Sequence, residues 1–187
     1  MPFPSEEFRS ALLQWARYAV VEAVSRAQLP ADIPHHGIFL ERRGVFITLH
    51  VRERLRGCIG VVEAQETLGE SIMRCAAGAA LHDPRFSPLQ TEELGELVVE
   101  ISLMSTPAPI RLEEIEIGKH GLIVVSGGRR GLLLPQVATQ HGLDPQRFLE
   151  ETCRKAGLPP EAWREAGTQI LGFTCEVFAE RSSGSGQ

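Results

Sequence analysis

A thiol set between two glycines on an apolar run, Leu55-Arg56-Gly57-Cys58-Ile59-Gly60, is the stretch of this chain best placed to do chemistry. In an extended strand, residues i and i+2 point to the same face. Arg56, Cys58 and Gly60 then share one face, and Leu55, Gly57 and Ile59 the other. A guanidinium beside a thiol favours the thiolate, the form that attacks electrophiles and binds metals. Flanking glycines admit the close approach of another backbone or of a ligand. The expectation is that Cys58 acts as a nucleophile or carrier, with Arg56, Gly57 and Gly60 lining its ligand site. The competing expectation is that Cys58 is a small hydrophobe packed in a strand, as most cysteines are.

Other polar groups could complete such a site. His82-Asp83-Pro84-Arg85-Phe86 puts three polar side chains in one turn. Asp83 is then an acid–base or orienting group and Arg85 an anion holder, or the turn is merely a helix exit. His120, just before an apolar strand, is of the type that titrates near neutral pH and is a further acid–base candidate. Its plain alternative is a solvated loop histidine. Gly128-Arg129-Arg130-Gly131 resembles an anion-binding turn, with Arg130 as the ligand group. It lacks the Gly-Lys-Ser/Thr of a P-loop. Gln136, after Pro135, is expected as a buried hydrogen-bonding group. Glu100, between Val99 and Ile101, is expected to pair with an arginine or to face a wet cleft. The adjacent His35 and His36 point apart and chelate poorly.

Several known schemes are missing from the sequence. There is no Cys-x-x-Cys, no Gly-x-Ser-x-Gly, no Gly-x-Gly-x-x-Gly after a strand and no His-Glu-x-x-His. The residues assign no metal site and name no cofactor. Composition narrows the class further. The chain has 187 residues, 43% hydrophobic and 23% charged, with a net charge of −5. That acidity argues against general nucleic-acid binding. No apolar run approaches the ~20 residues of a membrane span. The stretch from Met1 to Glu7 lacks the basic start and apolar core of a signal peptide, so the expected location is cytoplasmic and the four cysteines are expected as free thiols. The only lysines are Lys119 and Lys155. That bias reflects either genome composition or anion recognition by arginine forks.

The elements that would position these groups are legible from periodicity. Residues 5–28 read as a helix with an apolar stripe through Leu12, Trp15, Ala19, Val20 and Ala23, capped by Ser5 and ended by Pro30. Two segments with one plan follow, at about 36–105 and 121–180. Each opens with a glycine and an apolar strand (44–49; 121–126). Each then passes through a basic turn into a second strand (55–62; 131–134). Each continues with a helix. The first spans 68–81, with a Thr67–Glu70 capping box. The second spans 145–156, with Asp144 as N-cap and Gly157 as the stop. A short helical piece (91–94; 160–165) and a closing strand (97–103; 171–178) complete each segment. Any α+β chain can be parsed this way, but the matching glycine-opened strands and helix placement favour an internal duplication. Residues 182–187 read as a disordered low-complexity tail.

Taken in order, Leu55-Arg56-Gly57-Cys58-Ile59-Gly60, Asp83-Pro84-Arg85-Phe86, Glu100-Ile101-Ser102, His120-Gly121-Leu122, Leu133-Leu134-Pro135-Gln136-Val137 and Lys155-Ala156-Gly157-Leu158 resemble the AMMECR-type domain, in the stand-alone prokaryotic form of the AmmeMemoRadiSam system. The resemblance spans roughly Trp15 to Phe178 and implies a single domain over residues 1–181. It implies an α+β fold: duplicated β-rich repeats forming a barrel-like mixed or antiparallel sheet flanked by helices. It also implies a genomic association with a Memo-type protein and a radical S-adenosylmethionine protein. It supplies no reaction. The expected function is an accessory or maturation protein acting with such partners. A cleft around Cys58, between the two copies, would bind a small polar ligand for thiol-dependent catalysis. Arg56, Asp83, Arg85, His120 and Gln136 sit at motif positions. The alternative is a non-catalytic protein-binding module in which Cys58 is structural.

Overall fold

The computed structural model describes residues 4–63 and 65–181. The tail at 182–187 lies outside the described residues. The chain divides into two compact units, Met1–Met104 with Glu176–Gln187, and Ser105–Cys175.

The first unit begins with α1 (Glu6–Arg26), which buries Leu12, Trp15, Ala16, Ala19, Val20 and Ala23. Ser5 stands at the N-cap but its side chain makes no capping bond. The helix stops before Pro30. Ala27 takes a left-handed conformation (φ 52°) and returns its N–H to the Glu22 carbonyl, closing the last turn. Strands β1 (Val45–Val51) and β2 (Arg54–Val61) form a hairpin. Helix α2 (Leu68–Leu81) starts at the predicted capping box: Thr67 accepts from the Glu70 N–H, and Glu70 accepts from the Thr67 N–H at 2.8 Å. Strand β3 (Leu97–Met104) pairs with β1, giving an antiparallel order β2-β1-β3. Alternation follows from the strand period of two. Val45, Ile47, Leu49, Val99, Ile101 and Leu103 face a core shared with α1 and α2. The other face carries Cys58 and Gly60 on β2, Phe46, Thr48 and His50 on β1, and Val98, Glu100 and Ser102 on β3.

The hairpin turn is made by Arg52 and Glu53, both at positive φ (51° and 62°). Two central residues at positive φ define the type I′ turn, whose twist matches the strands it joins and which favours Asn-Gly. A side chain in this region costs about 1–2 kcal/mol. Glu53→Gly is therefore expected to stabilise the protein by about 1 kcal/mol, read as a rise in Tm of about 2–4 °C. Unchanged or lowered Tm would show that the turn carries no such strain.

The second unit contains β4 (Ala108–Pro109), β5 (His120–Ser126), β6 (Arg129–Leu133), α3 (Pro135–Gln140), α4 (Pro145–Lys155) and β7 (Gln169–Ala179), whose residues through Cys175 belong here. Its strands pair antiparallel as β6-β5-β7-β4. Asp144 caps α4, accepting the Arg147 N–H at 2.8 Å. The core is Ile115, Leu122, Val124, Ala138, Phe148, Leu149, Cys153 and Ala162. Pro135 does more than end a strand. It is the first residue of α3, where its missing N–H costs nothing.

The α+β class, with antiparallel strands flanked by helices, is as the sequence predicts. The two units also share a device. Each hairpin turns on two residues at positive φ, Arg52-Glu53 and Gly127-Gly128. Each second strand then carries an Arg-Gly pair whose glycine lies under helix backbone. A Cβ on Gly57 would overlap the Ala79 carbonyl of α2, and one on Gly131 would stand 2.6 Å from the Thr152 carbonyl oxygen of α4. Among the described residues no helix is long and apolar enough to cross a membrane.

Candidate functional site

Cys58 lies on β2, the edge of the first unit's sheet, half-buried. Its backbone is held from outside the sheet. The Cys58 N–H donates to Asp83 Oδ2 at 2.9 Å, and its carbonyl oxygen lies 3.4 Å from Arg85 Nη2. Asp83 is itself buried, at 4% exposure, and bound on every side. It accepts from the Arg85 N–H at 3.1 Å and from the Arg85 guanidinium at 3.0 and 2.7 Å. The Arg85 guanidinium, then the Cys58 N–H, hold the Asp83 carboxyl far below the usual carboxylate range. The Asp83 turn is thus a clamp on the strand that presents the thiol. Asp83 is spent on this and is not poised as a proton donor near neutral pH.

Simple strand alternation places Arg56 beside the thiol. The structure turns its guanidinium elsewhere, for a reason in the register. Pairing slips between Leu49 and His50, so that Gly57 faces Leu49 while Leu55 faces His50, and Arg56 is the extra residue of a bulge. Its guanidinium donates to both Glu93 carboxylate oxygens, at 2.7 and 2.9 Å, and to the Ser87 carbonyl at 2.8 Å. The cation at the Cys58 side chain is Arg85. Its guanidinium is raised above its ordinary value first by Asp83 and, in smaller part, by Cys58.

The glycines also find occupants within the protein. Gly57 admits the α2 backbone, and the space beside Gly60 is filled by the Phe46 ring. The thiol's immediate partner is Thr48, whose hydroxyl donates to Cys58 Sγ at 3.3 Å. Thr48 faces Cys58 on one side and Glu100 on the other, so Cys58, Thr48 and Glu100 form one row across β2, β1 and β3. Glu100 is half-buried, and its carboxylate makes no hydrogen bond or ion pair among the described residues. It lines a groove of about 580 Å³ with His50, Glu53, Val98 and Glu180. Of the two fates expected for Glu100, the structure shows the cleft.

The remaining candidates lie in the second unit. His120 begins β5. Its Nδ1 accepts the Glu116 N–H at 3.0 Å, which leaves the proton of the neutral ring on Nε2. It borders a cavity of about 420 Å³ with Ser105, Glu114 and Thr174. Gln136 is exposed in the first turn of α3, not buried. Arg130 is exposed on β6, and the neighbouring Arg129 donates to the Gly157 carbonyl at 2.7 Å, just past the end of α4. The structure therefore brings together Cys58, Asp83 and Arg85. Thr48, which no motif flags, joins them through strand register. A regular hairpin turning on residues 52–53 would set Thr48 opposite Gly57, and the extra residue at Arg56 moves it opposite Cys58. Hairpin counting in the sequence thus comes within one residue of the pair.

Burial pushes Cys75 and Cys175 up to about 11 and raises Cys153. Among the described residues no three His, Cys, Asp or Glu side chains are placed to hold a metal ion.

Comparison with known proteins agrees with the motif reading. A protein of Methanothermobacter thermautotrophicus is 41% identical over 189 residues, covering 96% of this chain and 97% of the relative. One of Thermococcus gammatolerans is 41% identical over 189 residues, covering 94% and 91%. The crystal structure of an uncharacterized protein from Pyrococcus horikoshii superimposes with a TM-score of 0.71 at 38% identity, over 95% of this chain and 94% of that one. The AMMECR1 family profile matches residues 13–178, and the chain belongs to the AMMECR1 family.

Proposed function

We propose that this protein is an accessory or maturation factor that works through the thiol of Cys58, acting on a small polar ligand at the face of its first sheet that carries Cys58. The carrying observation is the treatment of Cys58. Its backbone is fixed by the Asp83–Arg85 clamp, its sulfur accepts a hydrogen bond from Thr48, and it sits among polar groups. The Thr48 hydrogen bond and the clamp together fix where the thiol stands on β2. The family resemblance suggests a Memo-type protein and a radical S-adenosylmethionine protein as the partners with which to reconstitute activity.

The test is the alkylation rate of each cysteine in the native protein, resolved by mass spectrometry across pH. Cys58 is expected to react first, and Thr48→Val to slow it about five- to tenfold at fixed pH, the size of one ordinary hydrogen bond lost. Cys75 and Cys153 are expected to react only on unfolding. A Cys58 that stays silent until the protein unfolds is packing, and the chain is then a protein-binding module.

A further inference from the structure

The two units provide a comparison within one molecule. Gly57 and Gly131 hold the same place, each under helix backbone, with Leu49 opposite the first and Val124 opposite the second. Counting one residue on from these anchors gives the row Cys58–Thr48–Glu100 in the first unit. In the second it gives Leu132–Ile123–Leu171. The same scaffold thus carries a thiol, a hydroxyl and a carboxylate in one copy and three aliphatic residues in the other. The fold does not require a polar row at this place, and aliphatic side chains satisfy it. An unpaired, half-buried carboxylate carries a desolvation cost that the second unit avoids.

The charges around the row are unequal. Near the thiol, Arg85 is neutralised by Asp83 at 2.7 Å. In the groove beyond Glu100, Glu180 is bound by Arg17 at 2.6 Å and Glu96 by Arg52. Glu53 and Glu100 have no such partner among the described residues. Glu100 is therefore an uncompensated carboxylate in line with the thiol, and Glu53 adds a second in the groove, which His50 also lines.

From this we infer that the row is a ligand site for a small cation. A positively charged group, of the amine or guanidine class, sits on Glu100 in the groove and directs the rest of the ligand across Thr48 to Cys58. The inference rests on Cys58 being the working thiol and adds the chemical class of its ligand. Across an antiparallel sheet, directly opposed side chains stand about 5 Å apart, so the two ends of the row are about 10 Å apart. That span sets the ligand's size at a few bonds beyond its charged group.

The experiment uses three methanethiosulfonate reagents on the full chain: one neutral, one carrying a trimethylammonium group and one carrying a sulfonate. Modification of Cys58 is followed by mass spectrometry, with Cys175 as the reference thiol in the second unit. The cationic reagent is expected to outpace the anionic one at Cys58 about fourfold, the difference between attraction to and repulsion by one charge about 10 Å away in a medium of high dielectric. Glu100→Gln is expected to bring that ratio to about one, with the neutral reagent's rate unchanged within about twofold. A variant that merely loosened the sheet would move all three rates together. Equal rates for the charged reagents on the wild type, or a ratio that survives Glu100→Gln, overturns the cation site and leaves the thiol reading standing. A Cys58 inert to all three reagents overturns both.

Discussion

Replacing Gly57 with alanine is expected to remove most of the first unit's stability, a loss above about 4 kcal/mol. The added Cβ would stand 2.9 Å from the Ala79 carbonyl carbon and closer still to its oxygen. Both atoms are backbone of α2, so no side chain can swing away. To make room the helix must lift off β2, which strips cover from Ile72, Ala76 and Ala79, all at 1% exposure or less. Overpacking a dense core normally costs about 1–3 kcal/mol. A clash with helix backbone leaves less scope for relaxation and belongs at or beyond the top of that range. Urea unfolding followed by circular dichroism reads the loss directly. Gly131→Ala presses a Cβ to 2.8 Å from the Cα of Ala156, the C-cap of α4, and is expected to fail in the same way in the second unit. If Gly57→Ala unfolds within about 1 kcal/mol of wild type, the close contact between β2 and α2 is wrong.

The second large effect concerns pH. In the folded chain the Asp83 carboxyl is held far below its usual range by the Arg85 guanidinium and the Cys58 N–H. In the unfolded chain it titrates near ~3.9. The unfolded state therefore binds the proton first as pH falls, and stability falls with it. The contribution of Asp83 is fully present well above about pH 4 and is lost progressively below it. Asp83→Asn keeps the shape and removes the charge. It is expected to lie well below wild type in Tm at about pH 7, with the gap closing as pH drops through about 4 toward about 2. The same shift, first from hydrogen bonding, holds Glu70, Glu93, Glu96 and Glu114 low, so the variant retains some acid sensitivity of its own. A gap that stayed constant over that whole range would mean that Asp83 acts through packing and not through its charge. A wild-type Tm that is flat over the range would contradict the clamp itself.

Sequence and structure agree where a local rule decides the outcome. The α2 start at Thr67 and Glu70 needs only four consecutive residues, and α4 is bracketed by Asp144, Pro145 and Gly157. Prediction fails where one residue has two uses. Pro135 signals the end of a strand and also the first turn of a helix, and only packing of Ala138 into the core chooses the second. Ser5 has the side chain of a cap but makes no capping bond, and a left-handed Ala27, which no sequence rule favours, ends α1. The site shows the same division. Cys58, Asp83 and Arg85 stand in recognisable motifs. Which guanidinium meets the thiol depends on a bulge at Arg56, and a bulge has no signature in Arg-Gly-Cys. Glu100 is far from Cys58 in sequence, and its place in the row follows from a pairing of β1 with β3 that hydrophobic alternation alone does not register.

The clamp at Cys58 has a consequence for how the protein behaves in a crowded solution. A strand at the end of a sheet offers outward-facing N–H and C=O groups, and another chain can dock there to extend the ladder. At Cys58 both groups are already taken, one by a carboxylate and the other by a guanidinium, much as a neighbouring strand would take them. An ion pair fixed at the rim also presents charge to any incoming backbone. The motif that holds the thiol in place therefore also blunts the open edge of the first sheet, protecting it against self-association at its midpoint.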